Sequence, residues 1–355
     1  MRRLSDRMTG ACIALLAGAG LARMWDHRAG VPVAASVPAP PLGPPRFARS
    51  FHATHFVRGN LHTHTTRSDG DASPEEVARW YRDHGYGFLA LTDHNQLTTS
   101  NDLTALVTPE FALVPGEEVT MWAVRKPIHV NALCIRSAIA GGAFLTKARA
   151  LDHAIEEVVA EDGVALINHP NFEWALSKDD ILATKGATLL EIASSHPYVH
   201  TLGDETRPSH EQLWDDALGA GMDIMGVAVD DVHHLVTDAD PEAFPGMAWV
   251  QVVADAPRVD LVCDGLRRGA LYASTGAELV SFDVDETAYR VTPVDAKASV
   301  VFVGGGGRVL SRKATGDDGS ARYELAGDEG YVRARVESSA GKAWTPAVRV
   351  TRDPE

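Results

Sequence analysis

From about Phe56 the chain alternates short apolar runs with stretches of helical period, and its elements can be read from that rhythm. Strands are predicted over 57–63, 87–92, 111–115, 129–135, 164–168, 188–193 and 223–229. Helical patterns fall near 146–161, 209–219 and 257–268. Another helix start is explicit. Ser73-Pro74-Glu75-Glu76 places serine at the N-cap, proline in the first turn and glutamate at N3, and the helix runs to about His84 before Gly85. Strands separated by helices imply a parallel sheet, closed or nearly closed as a barrel. After Gly276 the period falls to two, in Ser281–Val284, Ala298–Val303, Ala321–Leu325 and Tyr331–Glu337. The turns between them are glycine-rich, which predicts a small antiparallel β-sandwich. Gly304–Gly307 opens no helix, so it does not read as a phosphate-cradling loop.

The amino terminus follows a different pattern. Arg2, Arg3 and Arg7 precede an apolar run from Ala11 to Ala22, too short to span a bilayer but suited to a secretory signal. Val33-Ala34-Ala35 offers small residues for cleavage; the other reading is an uncleaved anchor, the one route by which the chain would meet a membrane. A periplasmic or secreted location follows. Residues 31–46, VPVAASVPAPPLGPPR, favour extended polyproline II. The expected organisation is therefore a signal or anchor over 1–30, a linker over 31–50, an α/β domain over 51–275 and the β-sandwich over 276–355.

Composition narrows the chemistry. The 355 residues carry 33 Lys+Arg against 48 Asp+Glu, a net charge of -15, which argues against a nucleic-acid partner. Cys12, Cys134 and Cys263 are too few and scattered for a disulfide framework or a thiolate zinc site; Cys134 and Cys263 read as buried small hydrophobes. Histidine is informative: there are 15, and none lies beyond His234.

Many of these histidines fall at predicted strand ends. His62 and His64 share a face at a spacing of two, and Asp69 follows in the next turn. Leu91 runs into Thr92-Asp93-His94-Asn95, Val114 into Pro115-Gly116-Glu117-Glu118, and Ile167 into Asn168-His169-Pro170. His129 heads its strand, and Val229 runs into Asp230-Asp231-Val232-His233. In a barrel the carboxyl ends of strands meet at one mouth. Imidazoles and carboxylates gathered there would make a thiolate-free metal site suited to Zn, Mn or Fe. His27, His52, His55, His84, His153, His210 and His234 read as ordinary polar residues.

His62-x-His64, Ser68-Asp69-Gly70, Thr92-Asp93-His94-Asn95, Gly116-x-Glu118, His169-Pro170 and Asp231-x-His233 resemble, in order and spacing, the polymerase-and-histidinol-phosphatase (PHP) metallohydrolases. The resemblance covers roughly 57–275. Glu118-Val119-Thr120, His129 to Leu133, Leu271 to Gly276 and Ala343-Trp344-Thr345 look most like the carbaryl-hydrolase-like branch. The resemblance implies a distorted (β/α)7 TIM-like barrel holding two or three divalent ions. His62, His64, Glu118 and Asp231 would hold the first, and Glu118, His129 and His169 the second. Asp69, His94 and His233 would hold a third. Glu117 and Asp230 stand as alternatives to Glu118 and Asp231, whose spacing fits the family.

Such ions would generate a bridging hydroxide near Glu118 and Asp231 for metal-assisted hydrolysis, most readily of a phosphoester. The substrate would be a small anionic ester. His196, His200 and Arg207 are candidate substrate contacts, with Lys126 and Arg136 as further anion binders. The alternatives are carbamate, ester or amide hydrolysis at the same site, or a non-catalytic surface-polymer-binding protein.

Overall fold

Buried apolar runs form two sheets whose strand ends surround the histidines. The computed structural model describes residues 51–235, 244–285 and 287–350; the signal and linker expectations lie outside them. Among the described residues no helix is long and apolar enough to cross a membrane.

One sheet has six strands, in the order Met225–Val229, Leu189–Ser194, Val164–Ile167, Lys126–Leu133, Gly116–Ala123 and Gly142–Phe144. Met225–Val229 and Val164–Ile167 are buried throughout, as expected for strands covered on both faces. In the other sheet Phe56–Asn60 pairs in parallel with Phe88–Leu89, which pairs in parallel with Ala112–Leu113. On its other edge Phe56–Asn60 lies antiparallel to Trp249–Val253, and that strand to Leu271–Ser274. Two isolated bridges link the sheets, Thr63 to Val232 and His94 to Glu118. Both lie beside expected ligands.

The expectation of a parallel sheet requires correction: the arrangement is mixed. Gly116–Ala123 is a full strand, read in the sequence only as a motif following a strand, and it forms an antiparallel hairpin with Lys126–Leu133. Its turn is Val124-Arg125, both at positive φ, the geometry of a tight two-residue hairpin connection. Lys126–Leu133 is also antiparallel to Val164–Ile167.

The helices follow their caps. The Ser73 hydroxyl accepts the Glu76 N–H while the Glu76 carboxylate accepts the Ser73 N–H, and the helix spans Pro74–Asp83. It buries Val77, Ala78 and Tyr81. Thr146 caps Lys147–Ala160, which buries Ala150, Leu151, Ala154, Ile155 and Val158 at helical spacing. Ser209 and Gln212 form the box that starts His210–Gly219.

From Leu279 onward the described residues are strands and turns, with a single 3-10 turn at Gly305–Gly307. Phe51–Ala53, Leu279–Val284, Ala288–Pro293 and Ala321–Glu324 make a four-stranded antiparallel sheet. Its Phe282, Tyr289 and Val291 share an apolar cluster with Val300 and Phe302 of the strand Ser299–Gly304 and with Val332, Ala334 and Val336 of the strand Gly330–Ser338, both of which belong to the sheet that contains Phe56–Asn60. The Arg333 guanidinium ties this region to the helix His210–Gly219. It donates twice to Asp215 at 2.8 Å and once to Glu211 at 2.9 Å. Tyr331 also donates to Asp215, at 2.7 Å.

The cysteine reading is overturned. Cys134 and Cys263 form a disulfide across 129 residues, joining the end of the strand Lys126–Leu133 to the helix Val259–Arg267. Wide sequence separation hid a pair that the fold brings together.

Candidate metal centre

Backbone turns aim the ligand side chains. Asp231 follows the strand Met225–Val229 at φ 51°, a left-handed conformation that Asp and Asn adopt more readily than most residues. Asn95, after His94, turns in the same way at φ 53°. Asp93 fixes the first loop by accepting from the Thr65 N–H at 2.7 Å, the Thr65 hydroxyl at 2.8 Å and the Ser68 hydroxyl at 2.9 Å. Gly70 completes that loop because a Cβ there would lie 2.7 Å from the backbone of His64. The Ser68-Asp69-Gly70 motif is thereby a backbone constraint as well as a ligand.

The structure brings the expected residues to one place. His62 Nε2 lies 3.1 Å from His64 Nε2, 3.3 Å from Glu118 Oε2 and 3.3 Å from Asp231 Oδ1. His64 Nε2 lies 3.2 Å from Glu118 Oε2 and 3.4 Å from Asp231 Oδ1. Glu118 Oε1 faces His129 Nδ1 at 3.0 Å and His169 Nε2 at 3.3 Å. Asp69 reaches His64 Nδ1 at 3.3 Å, His94 Nε2 at 3.5 Å and His233 Nε2 at 3.6 Å. His94 Nδ1 also lies 3.1 Å from Glu118 Oε2, so His94 faces both the Glu118 and the Asp69 groups.

These spacings are those of ligand atoms around an ion. Donors on a shell of about 2.1 Å stand roughly 3.0–3.4 Å apart for octahedral to tetrahedral angles. Glu118 Oε2 and Asp231 Oδ1 are buried and receive no hydrogen bond. Buried carboxylate oxygens left bare are costly unless a cation takes them. The residues therefore fit divalent ions. Compact groupings are His62–His64–Asp231, His62–Glu118–His169, His64–Asp69–His94 and His94–Glu118–His129.

The second carboxylate of each pair reaches the histidines; the first does not. Glu117 Oε1 accepts the Ile139 N–H at 2.5 Å, and burial pushes its carboxyl up. Asp230 accepts from Asn60, Tyr81 and the Gly246, Met247 and Ala248 N–H groups at 2.7–2.9 Å. Burial raises Asp230 to about 6 against those donors.

Burial would also raise Glu118, but His129, His62 and His94 hold it well below the ordinary carboxylate range. Asp231 is likewise held down against burial, by His62, His64 and His233. Conversely, burial disfavours charge on His62, yet Asp231, Glu118 and Glu191 raise it to about 10. His64 is raised against burial by Asp231, Asp69 and Glu118. Without ions, protons on the histidines balance the carboxylates.

Two buried residues that sequence reasoning did not single out complete the site. Glu191 accepts from His62 Nδ1 at 2.6 Å and from the His169 N–H at 2.8 Å. It holds the His62 proton on Nδ1 and leaves Nε2 as a lone-pair donor. Asn168 donates to Glu118 Oε1 at 2.7 Å and to Asn131 Oδ1 at 2.8 Å, fixing the carboxylate plane. The available signal was a charge or amide set in or just after an apolar strand.

Ligand order, ligand spacing and bare buried oxygens now coincide. The arrangement is that of a candidate centre for more than one ion. No protein-family model matches the chain. The chain is similar over a short stretch to the DNA polymerase/3'-5' exonuclease PolX of Bacillus subtilis (strain 168). That relative is 46% identical over 50 residues, covering 14% of this chain and 9% of the relative's length. Solved structures similar to this chain include a two-domain protein from Bacteroides vulgatus ATCC 8482 containing a predicted PHP-like metal-dependent phosphoesterase. It shows 14% identity, a TM-score of 0.46, and coverage of 85% of this chain and 96% of that one. An amidohydrolase from Chromobacterium violaceum shows 20% identity, a TM-score of 0.38, and coverage of 53% and 93% respectively.

The rim residues divide. His196 is half-buried against His233, with ring centroids 5.1 Å apart, and burial lowers it to about 4. His200 and Arg207 instead pack on Trp174, the ring of His200 at 4.5 Å and the guanidinium of Arg207 at 4.1 Å. Lys126 donates to the Glu173 carbonyl at 2.7 Å. Arg136 is exposed. Other histidines lie elsewhere: His84 at a helix C-cap on the Trp80 carbonyl, His153 on the helix Lys147–Ala160, and His210 accepting the Asn171 N–H.

Proposed function

We propose that the chain is a PHP-type, metal-dependent hydrolase acting on a small anionic ester, most readily a phosphoester. The observation that carries this reading is Glu118, a buried carboxylate shared between two sets of imidazoles, with one oxygen free of hydrogen bonds. His62, His64, Glu118 and Asp231 would hold one ion; Glu118, His129 and His169 a second; Asp69, His94 and His233 a third. Zn, Mn and Fe all suit this nitrogen and oxygen set. Bound divalent ions supply Lewis acidity and make water a competent nucleophile near neutral pH.

The protein's own contribution is preorganisation. Glu191 fixes the His62 tautomer, Asn168 fixes Glu118, and Asp93 fixes the loop that carries Asp69. We read the two linked sheets as a distorted (β/α)7 barrel and the carboxyl-terminal strands as its β-sandwich. Export to an oxidising compartment is supported by the Cys134–Cys263 disulfide and the arginine-led apolar amino terminus.

Parallel assays of the metal-reconstituted protein on nitrophenyl phosphate, a naphthyl carbamate and an oligonucleotide test the reading. Turnover of the phosphate above the other two supports it, and preference for the carbamate moves the bond to a carbonyl. No turnover on any arm, with bound metal present, would overturn it.

A further inference from the structure

His196 follows the strand Leu189–Ser194 and is half-buried beside the cluster. Its ring lies edge-on to that of His233, at 65° and 5.1 Å between centroids. The Tyr198 N–H donates to His196 Nδ1 at 3.3 Å, and the backbone N–H of His196 donates to Ser194 Oγ at 3.2 Å. A ring nitrogen that accepts an N–H carries no proton of its own, so the neutral ring holds its proton on Nε2. Backbone geometry therefore sets this tautomer, and His196 keeps one N–H to offer. The other rim candidates are already engaged, since His200 and Arg207 both pack on Trp174.

We infer that His196 donates a hydrogen bond through Nε2–H to a non-bridging oxygen of the oxyanionic substrate, on the Asp69–His233 side of the cluster. This assignment rests on the hydrolase reading and adds one substrate-contacting residue to it. The role is that of a donor and not of an acid. Charging the ring requires a proton on Nδ1, where the Tyr198 N–H already points. Giving up the Nε2 proton would leave an imidazolate. A fixed neutral donor stabilises charge on substrate oxygens without transferring a proton.

The test uses the full chain reconstituted with metal. Inorganic phosphate binding is followed by calorimetry, and hydrolysis is followed over aryl phosphates of increasing leaving-group pKa. In His196→Ala, phosphate binding weakens about 10-fold and kcat/KM falls about 100-fold, the order expected for one lost donor to a developing oxyanion. The loss is the same for every leaving group, and bound metal per chain is unchanged. His196→Gln, which keeps a side-chain N–H, recovers part of both losses.

Unchanged phosphate binding in His196→Ala overturns the inference. So does loss of bound metal, which would make His196 a ligand. A loss that grows with leaving-group pKa also overturns it, by making His196 a proton donor to the leaving group. If the wild type turns over no ester but phosphate binding still weakens in His196→Ala, the hydrolase reading fails while the donor assignment stands.

Discussion

Glu191→Gln removes one charge and nearly no volume, and the structure says what it should do. Glu191 Oε1 accepts from His62 Nδ1 at 2.6 Å while Oε2 accepts from the His169 N–H at 2.8 Å. Both side chains of the Glu191–His62 pair are fully buried. Glutamine has one oxygen for two donors. If that oxygen faces His62, the amide NH2 confronts the His169 N–H, leaving a buried donor unpaired at a cost of roughly 1–3 kcal/mol. If it faces His169, the NH2 drives the His62 proton from Nδ1 to Nε2 and blocks the ligand nitrogen. Either arrangement weakens ion binding, by about 10–100-fold on the scale of groups that orient metal-bound imidazoles. Competition against a chelator of known affinity measures this directly, with circular dichroism confirming the fold. Affinity within twofold of wild type would refute the claim that Glu191 sets the His62 tautomer.

Further outcomes follow from the charge arrangement. His62 is raised to about 10 against an ordinary value of 6.5, so its proton stabilises the ion-free fold fully below pH 6.5 and is lost as pH rises toward 10. Ions compete with that proton, so the Tm gain from added divalent metal should widen between pH 6.5 and 10; a gain that narrows would contradict the assignment. Asp230→Asn should lower Tm, since an amide NH2 must meet one of five donors at roughly 1–3 kcal/mol, while bound metal stays constant. Asp231→Asn should lose metal instead, and the reverse pattern by elemental analysis would exchange the two roles.

Much of this site was legible because its ligands sit where apolar strands stop. His62, His94, His169 and Asp231 each follow or end a hydrophobic run, and a strand end fixes position well enough for spacing to carry information. The capping box at Ser73 marked its helix for the same local reason. What escaped notice depends on contacts remote in sequence. Glu191 lies within Leu189–Ser194 as a lone carboxylate, and only the fold shows that it faces His62, 129 residues earlier. Cys134 and Cys263 meet only through tertiary packing. The hairpin at Val124-Arg125 lacks the usual glycine or asparagine signal, so the pattern along the chain does not separate this antiparallel pair from strands of a parallel series.

Metal content tests the shared role of Glu118 most directly. Elemental analysis of protein purified without chelator, then reconstituted with Zn, Mn or Fe, should give at least two tightly held divalent ions per chain. In Glu118→Ala, which removes the carboxylate shared by both imidazole sets, the number should fall by at least one. No retained ion under any of these reconstitutions, or full retention in Glu118→Ala, would contradict the account.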